Sequence, residues 1–321
     1  MKFFYQTTFS LNRIHIYQKV YKNWFSVLQQ VRKGSEEIHI KFRDGSSGIC
    51  SLECARALVD LVQFYPDYFN PIKFHIRGNE VYYESTRIDT NPSGHVLRTA
   101  SGWIEKDNYW YYPKYNVKFL KGHEVALFET FVQEQYNVDV EGREVVDVGA
   151  NIGDTAVYFA IKGAKRVVGF EPLPSVYRIA LENIKLNGLE DRVTLINAGV
   201  GSKDSMIRVP STIDLDKSGG FHVTGEGDVE VPLYSLKGMR ELVKDPYLLK
   251  IDCEGCEVDV IMNSDEIGFE KIIFEHHAFL TGVSYKKLIK KLEEEGYKCT
   301  ARQAQRTAGI SYLGIVSCEN R

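Results

Sequence analysis

The chain has 321 residues, 44% of them hydrophobic, 26% charged and 12% aromatic, with a formal net charge of -3. That length exceeds the ~100 to 200 residues usual for one domain, so a large domain with an accessory module is expected, and the composition excludes a disordered chain. Balanced charge gives no global pull on nucleic acid, and no run of about 18 apolar residues offers a membrane-spanning helix.

The opening MKFFYQTTFSLNR turns polar too soon for a signal peptide, so a cytoplasmic location is expected. Six cysteines in a chain of this size do not make a disulfide scaffold and are expected mainly as reduced, buried thiols. Cys50 with Cys54, and Cys253 with Cys256, could in principle hold zinc, and the second pair could be redox-active. The pairs fall in different modules with no histidine close in sequence, so inert packing is expected and no metal is assigned.

In chain order, residues 12 to 32 carry Ile14, Tyr17, Val20, Tyr21, Trp24, Phe25, Leu28 and Val31 at spacings of three and four, which predicts one amphipathic helix. Glu37 to Arg43, Ile72 to Ile76 and Val81 to Glu84 read as hairpin strands around Asp44-Gly45 and Gly78-Asn79, with a helix over Leu52 to Tyr65 between them. Asn91 to Gly94 reads as a loop, and Trp103, Trp110, Tyr111 and Tyr112 as a cluster packing a core or lining an acceptor pocket. A small α+β module over residues 1–120 follows.

Past residue 121 the texture changes. After a helix near His123 to Tyr136, buried-type strands are predicted at Glu144 to Val148, Arg166 to Phe170, Arg192 to Ala198, Tyr247 to Ile251 and Lys271 to Glu275. Helices at Asp154 to Lys162, Ser175 to Asn187, Glu257 to Met262 and Ser284 to Glu295 separate most of them, and Tyr297 to Ala301 with Tyr312 to Ser317 reads as a closing hairpin. That rhythm predicts a doubly wound, mostly parallel α/β sheet over 121–321 with an antiparallel closing strand.

The strongest chemical signal is the apolar strand running into Asp147-Val148-Gly149-Ala150-Asn151-Ile152-Gly153-Asp154. In a doubly wound sheet such a loop lies at the carboxyl end of the first strand, where ligands bind. Its GxxxG spacing matches neither the dinucleotide fingerprint nor a P-loop. Glu171 then ends the next strand 22 residues beyond Gly149, where an acid in this architecture accepts hydrogen bonds from ribose hydroxyls. A glycine loop and a ribose-binding acid without a phosphate cradle point to adenosine carrying an amino-acid tail.

DVGANIGD at 147–154, FEP at 170–172, Leu181 to Asn187, Leu249-Lys250-Ile251-Asp252-Cys253-Glu254-Gly255-Cys256-Glu257 and Phe274-Glu275-His276 together resemble the FkbM family of S-adenosylmethionine-dependent methyltransferases, over residues 144 to 300. The resemblance implies a Rossmann-like class I methyltransferase sheet, S-adenosyl-L-methionine as cofactor, and O-methylation of a small-molecule, sugar or other glycan acceptor. Carried over by position, Asp147, Gly149, Ala150, Asn151 and Gly153 would surround the methionine part of the cofactor, and Glu171 with Pro172 the ribose. Asn197 and Ala198 would border the adenine. Asp252 would sit beside the reacting methyl, and Asp252 with His276 would line the acceptor side, His276 taking the acceptor proton while His277 points the other way.

A nucleobase methyltransferase would instead place Asn or Asp, two prolines and an aromatic after the fourth strand, where this chain has Asp252-Cys253-Glu254-Gly255. RNA or protein methylation, and a binding protein without turnover, remain the alternatives. Nucleic acid is disfavoured as a partner, and assembly as a homo-oligomer is compatible with the sequence.

Overall fold

The computed structural model describes residues 13–89, 95–121, 124–214, 221–307 and 310–320; the opening segment and the loop expected at Asn91 to Gly94 lie outside them. The chain divides into two compact units, residues 1–117 and 118–321. No helix among the described residues is long and apolar enough to cross a membrane.

In the first unit the single helix expected over 12–32 is two, α1 (Ile14–Val20) and α2 (Trp24–Lys33). The break has a cause. Lys22 N donates to Lys41 O, and the Asn23 side chain donates to His39 O and accepts from Lys41 N, so the linker trades helical hydrogen bonds for bonds to a strand edge. That strand, β1 (Glu37–Lys41), pairs antiparallel with β2 (Ser47–Ser51). Ser51 then caps α3 (Leu52–Phe64) by accepting from Cys54 N. A hairpin of β3 (Phe74–Arg77) and β4 (Glu80–Tyr83) with the short β5 (Thr86–Arg87) follows. After α4 (His95–Ala100), β6 (Ile104–Glu105) pairs with β7 (Tyr109–Tyr112). Trp103, Trp110 and Tyr112 are buried, Trp103 stacks on Tyr112, and the Arg98 guanidinium lies 4.0 Å from the Trp110 ring centre. The aromatic cluster is therefore core of this unit, held by stacking and cation–π contact.

Strand β8 (Val117–Leu120) leads into the second unit, where Lys118 N and Leu120 N donate to the side chains of Asn187 and Asn183. Helix α5 (Glu124–Phe131) is shorter than expected. Then β9 (Glu144–Val148), α6 (Asp154–Ile161), β10 (Arg166–Phe170), α7 (Pro174–Leu186) and β11 (Val193–Ile196) alternate as the sequence rhythm predicts. A satellite sheet of β12 (Gly199–Val200), β13 (Ser205–Val209) and β14 (Val229–Tyr234) and the short α8 (Leu236–Arg240) interrupt that rhythm. The main sheet resumes with β15 (Leu248–Ile251), α9 (Cys256–Asn263), β16 (Lys271–His276), α10 (Ala278–Thr281), α11 (Tyr285–Glu294), β17 (Tyr297–Thr307) and β18 (Ile310–Asn320).

The seven strands lie in the order β11-β10-β9-β15-β16-β18-β17; the first five are parallel, β18 runs against them, and β17 pairs antiparallel with β18 and so shares their direction. All of β9 and β15 is buried, as continuous apolar strands between two helical layers must be. Helix α7 shows how the layers are fastened. Pro174 starts it, and Val176, Ala180 and Ile184, four apart, are its buried stripe. Each such apolar side chain contributes about 1.5 to 3 kcal/mol when buried. The chain runs outward from β9 through β10 to β11, then returns to β15 on the other side, so strand order reverses between β9 and β15. Ligands of doubly wound sheets bind in the crevice above such a reversal.

The six cysteines are not all reduced. Cys253 bonds Cys256 and Cys299 bonds Cys318, while Cys50 and Cys54, both buried, lie outside the disulfides. Cys299 and Cys318 are directly opposed across β17 and β18, a pairing invisible until the strands are registered.

Candidate active site

A cleft of about 260 Å³ opens at the carboxyl ends of β9, β10 and β15. Its first wall is the loop after β9. Gly149 has φ 75°, and a Cβ there would lie 1.7 Å from the Asp252 carbonyl oxygen, so the backbone of this loop presses directly on the turn after β15. The glycine is required by that close approach as well as by its backbone angle. Gly149 N and Ala150 N donate to Phe170 O, Gly153 N donates to Ala150 O, and Asn151 holds φ 47°.

Glu171, 5% exposed, braces the same loop: its Oε2 accepts from Asn151 N at 3.0 Å and its Oε1 from Leu173 N at 2.9 Å. Burial raises this carboxyl to about 7 against the pull of those two amides. Neither Arg166, which donates to Leu242 O, nor the start of α7 at Ser175 engages it among these bonds. Each oxygen keeps a lone pair for another donor.

Asp147 lies beneath the loop, fully buried. Its Oδ2 accepts from Thr155 Oγ1 at 2.6 Å, and its Oδ1 is 3.0 Å from Lys250 Nζ, which also donates to Gly149 O at 2.8 Å. Burial lowers the Lys250 pKa, but the charges of Asp147, Asp252 and Asp154 more than reverse this and keep it protonated. One cation thus neutralises Asp147 and ties β15 to the loop.

The opposite side is acidic: Asp252 and Glu254 line the cleft, and further carboxyls lie buried behind them. Tyr136 Oη donates to Asp252 Oδ2 at 2.8 Å and is 3.2 Å from Glu275 Oε2, which accepts from Gln135 Nε2 at 2.8 Å. Burial, then the charges of Asp252 and Asp154, raises Glu129 to about 8. Burial, then Asp252 and Glu257, raises Glu254 to about 8. Burial and the neighbouring carboxylates likewise push Glu275 well up. Glu257, fully buried, behaves oppositely: burial raises it, but the His276 imidazole and the His277 amide overcome that and leave it below its ordinary value. Like-charged carboxylates crowded out of water cannot all ionise without a counter-cation.

Of the residues singled out in the sequence, Gly149, Asn151, Glu171, Pro172, Ala198 and Asp252 line the cleft. Asp147, Ala150, Gly153, Asn197 and His276 are not among its lining residues and support it from behind. Asn197 Nδ2 donates to Glu171 O and Pro172 O, fixing the acid's backbone. Gly153, at φ 83°, opens α6 and would crowd Ala180 if it carried a Cβ.

Neither histidine at the end of β16 is among the residues lining the cleft. His276, 2% exposed, is anchored by Nε2 to Val283 O at 2.6 Å, with Nδ1 3.3 Å from Glu257 Oε1. His277 Nε2 instead lies 3.2 Å from Glu254 Oε2, and ligand atoms of Asp252, Glu254 and His277 all fall within 4.8 Å of one another. Strand alternation fails here because β16 ends at His276 and His277, at φ -104° and ψ 68°, begins the next helical turn. Gln135, Tyr136, Glu129 and Glu254 were not singled out in the sequence, since three of them lie in the helix expected near His123 to Tyr136, ahead of the first motif.

Residues 147–299 match the family model of the methyltransferase FkbM domain. A curated relative, ribosomal protein L11 methyltransferase of Carboxydothermus hydrogenoformans, is 40% identical over 55 residues, 17% of this chain and 18% of that protein. The chain therefore matches under a fifth of that relative's length. Among solved structures, a putative rRNA-methylase from Clostridium thermocellum gives a TM-score of 0.38 at 15% identity, covering 60% of this chain and 94% of that one. M. capricolum TrmK in complex with S-adenosyl-homocysteine gives 0.37 at 13%, covering 59% and 68%. A mostly parallel seven-stranded sheet carrying this domain defines a Rossmann-like methyltransferase. More narrowly, residues 147–299 carry a methyltransferase FkbM domain.

Proposed function

We propose that the protein transfers a methyl group from S-adenosylmethionine to an acceptor hydroxyl, the cofactor lying between the glycine loop and the acidic wall. The observation that carries this reading is the contrast in charge across the cleft. Lys250 pairs with Asp147, whereas Asp252, Glu254, Glu275 and Glu129 form an acidic cluster in which Tyr136, Gln135 and His277 are the side-chain partners. A cationic sulfonium with an ammonium tail suits such a wall, and Glu171 retains acceptor capacity for ribose hydroxyls. Bound there, S-adenosylmethionine would supply an electrophilic methyl group.

The chain's own work is positioning and proton transfer. Glu171 would hold the ribose, with Pro172 and Ala198 along the same edge. Asp252, oriented by Tyr136, would face the methyl-bearing end. Glu254 lines the cleft and, raised to about 8 chiefly by burial, would accept a hydroxyl proton in its ionised form, as pH approaches 8. His276 would act on it indirectly, by seating Glu257 and with it the turn that carries Glu254.

A macromolecular acceptor, protein or RNA as in the relatives' names, is the competing reading. Turnover of labelled S-adenosylmethionine against panels of hydroxylated small molecules and glycans, proteins and RNA tests the two. Methyl transfer confined to protein or RNA would refute the small-molecule assignment.

A further inference from the structure

We propose that the Cys253–Cys256 disulfide is a thiol–disulfide exchange site at the cleft, and that its reduction by a dithiol releases the turn carrying Glu254. The proposal rests on the methyltransferase reading for its functional consequence, though not for its chemistry.

The two disulfides differ in access. Cys253 and Cys256 both line the cleft, within reach of a reagent that enters it. Cys299 and Cys318 join opposed strands away from the cleft, Cys318 being 3% exposed and Cys299 half-buried. They also differ in the loop they close, three residues of separation against 19, and the stabilisation a disulfide gains from loop closure grows with that length. Exchange requires a thiolate to reach a sulfur, so the cleft disulfide is the reactive one.

The surroundings also choose the sulfur that leaves. Cys256 is the first residue of the eight-residue α9, where the helix N-terminus stabilises a thiolate. Cys253 Sγ instead lies 3.7 Å from Glu257 Oε2, whose charge opposes a thiolate. An incoming dithiol thiolate therefore attacks Cys253 Sγ, the S–S bond breaks, and its electron pair leaves on the Cys256 sulfur. The reductant's second thiol then attacks the mixed disulfide and frees Cys253. Two electrons and two protons pass to the protein, and the dithiol departs as a disulfide.

The ring encloses Glu254 and Gly255, both in the left-handed region with φ 53° and 117°. A non-glycine residue rarely holds that conformation without support. Here the support is the covalent ring, the Gly255 N to Glu257 Oε2 bond at 2.9 Å, and the His222 imidazole on Glu254 O. Opening the ring removes the strongest of the three. Glu254 then relaxes away from His277, and the carboxylate facing the cleft moves.

The test uses the full chain. Native protein is treated with dithiothreitol, alkylated and peptide-mapped, and oxidised and reduced forms are compared by amide hydrogen exchange and by titration with S-adenosylhomocysteine. Cys253 and Cys256 should take label while Cys299 and Cys318 do so only in denaturant. Amides of 254–257 should exchange about tenfold faster after reduction, and affinity for S-adenosylhomocysteine should change by about threefold or more. The C256S variant should show the reduced pattern and ignore dithiol. No native labelling of Cys253 and Cys256, or unchanged exchange at 254–257 on reduction, overturns the proposal. Absence of S-adenosylhomocysteine binding in both forms would defeat the cofactor assignment instead, and labelling and exchange would still decide the switch.

Discussion

The two walls of the cleft are made in different ways. The glycine-loop wall is backbone: amides of Gly149, Ala150 and Asn151 are consumed by Phe170 and Glu171, and the single buried cation beneath is matched to a single buried anion. The acidic wall is side chain: carboxyls from α5, the β15 turn and β16 meet around one tyrosine, and burial leaves three of them far above their ordinary range. The first wall is satisfied without a ligand and sets shape, whereas the second gathers carboxyls whose ionisation burial opposes and which a bound cation would favour. A binding cleft needs both, and changes to each should fail differently.

The largest effect belongs to the first wall. Replacing Lys250 with Met strands Asp147 as a buried, unpaired charge, which costs about 3 to 5 kcal/mol of stability in urea denaturation. A loss under about 1 kcal/mol would mean that Asp147 is not held by this pair. Next, Gly149→Ala should cost about 2 to 4 kcal/mol, because its Cβ would collide with the Asp252 carbonyl at a φ that side chains resist. An unchanged melting temperature would show that the loop and the turn are not in contact.

The acidic wall predicts a smaller and opposite behaviour with pH. Glu129 and Glu254, raised chiefly by burial from 4.5 to about 8, stay protonated in the fold while ionising in the unfolded chain. The folded state then binds more protons, so stability is greatest near and below pH 4.5 for these groups and falls as pH rises to about 8. Melting at pH 6 should exceed that at pH 8.5 by on the order of 5 °C, and Glu254→Gln should flatten the slope. A melting temperature that rises over that interval in the wild type would contradict the charge assignment.

Legibility in the sequence divides along the same line. Strands such as Glu144–Val148 and Arg166–Phe170 were readable because a doubly buried strand is mostly apolar, and the placement of Gly149 and Glu171 at the cleft because both follow strand ends at a topological reversal. The acidic wall was not. Tyr136 and Glu275 are 139 residues apart, and only the fold brings them within 3.2 Å. His277 does not point away as alternation implies, for a local reason: alternation holds only while the strand lasts, and His277 has already left it. The cysteines failed similarly: spacing shows that Cys253 and Cys256 can meet, but nothing in sequence puts Cys299 opposite Cys318. In the first unit, the break between α1 and α2 depends on bonds from Lys22 and Asn23 to β1 that no helical periodicity records.

The central claim is that one cleft binds the cofactor through Glu171 on one side and carboxylates on the other. Calorimetric titration of S-adenosylhomocysteine into wild type and Glu171→Ala tests it most directly. Wild-type binding that weakens by about 1.5 to 3 kcal/mol in the variant, the range for hydrogen bonds to a charged group, is the predicted result. Equal affinity in the two proteins, with both folded, would contradict it.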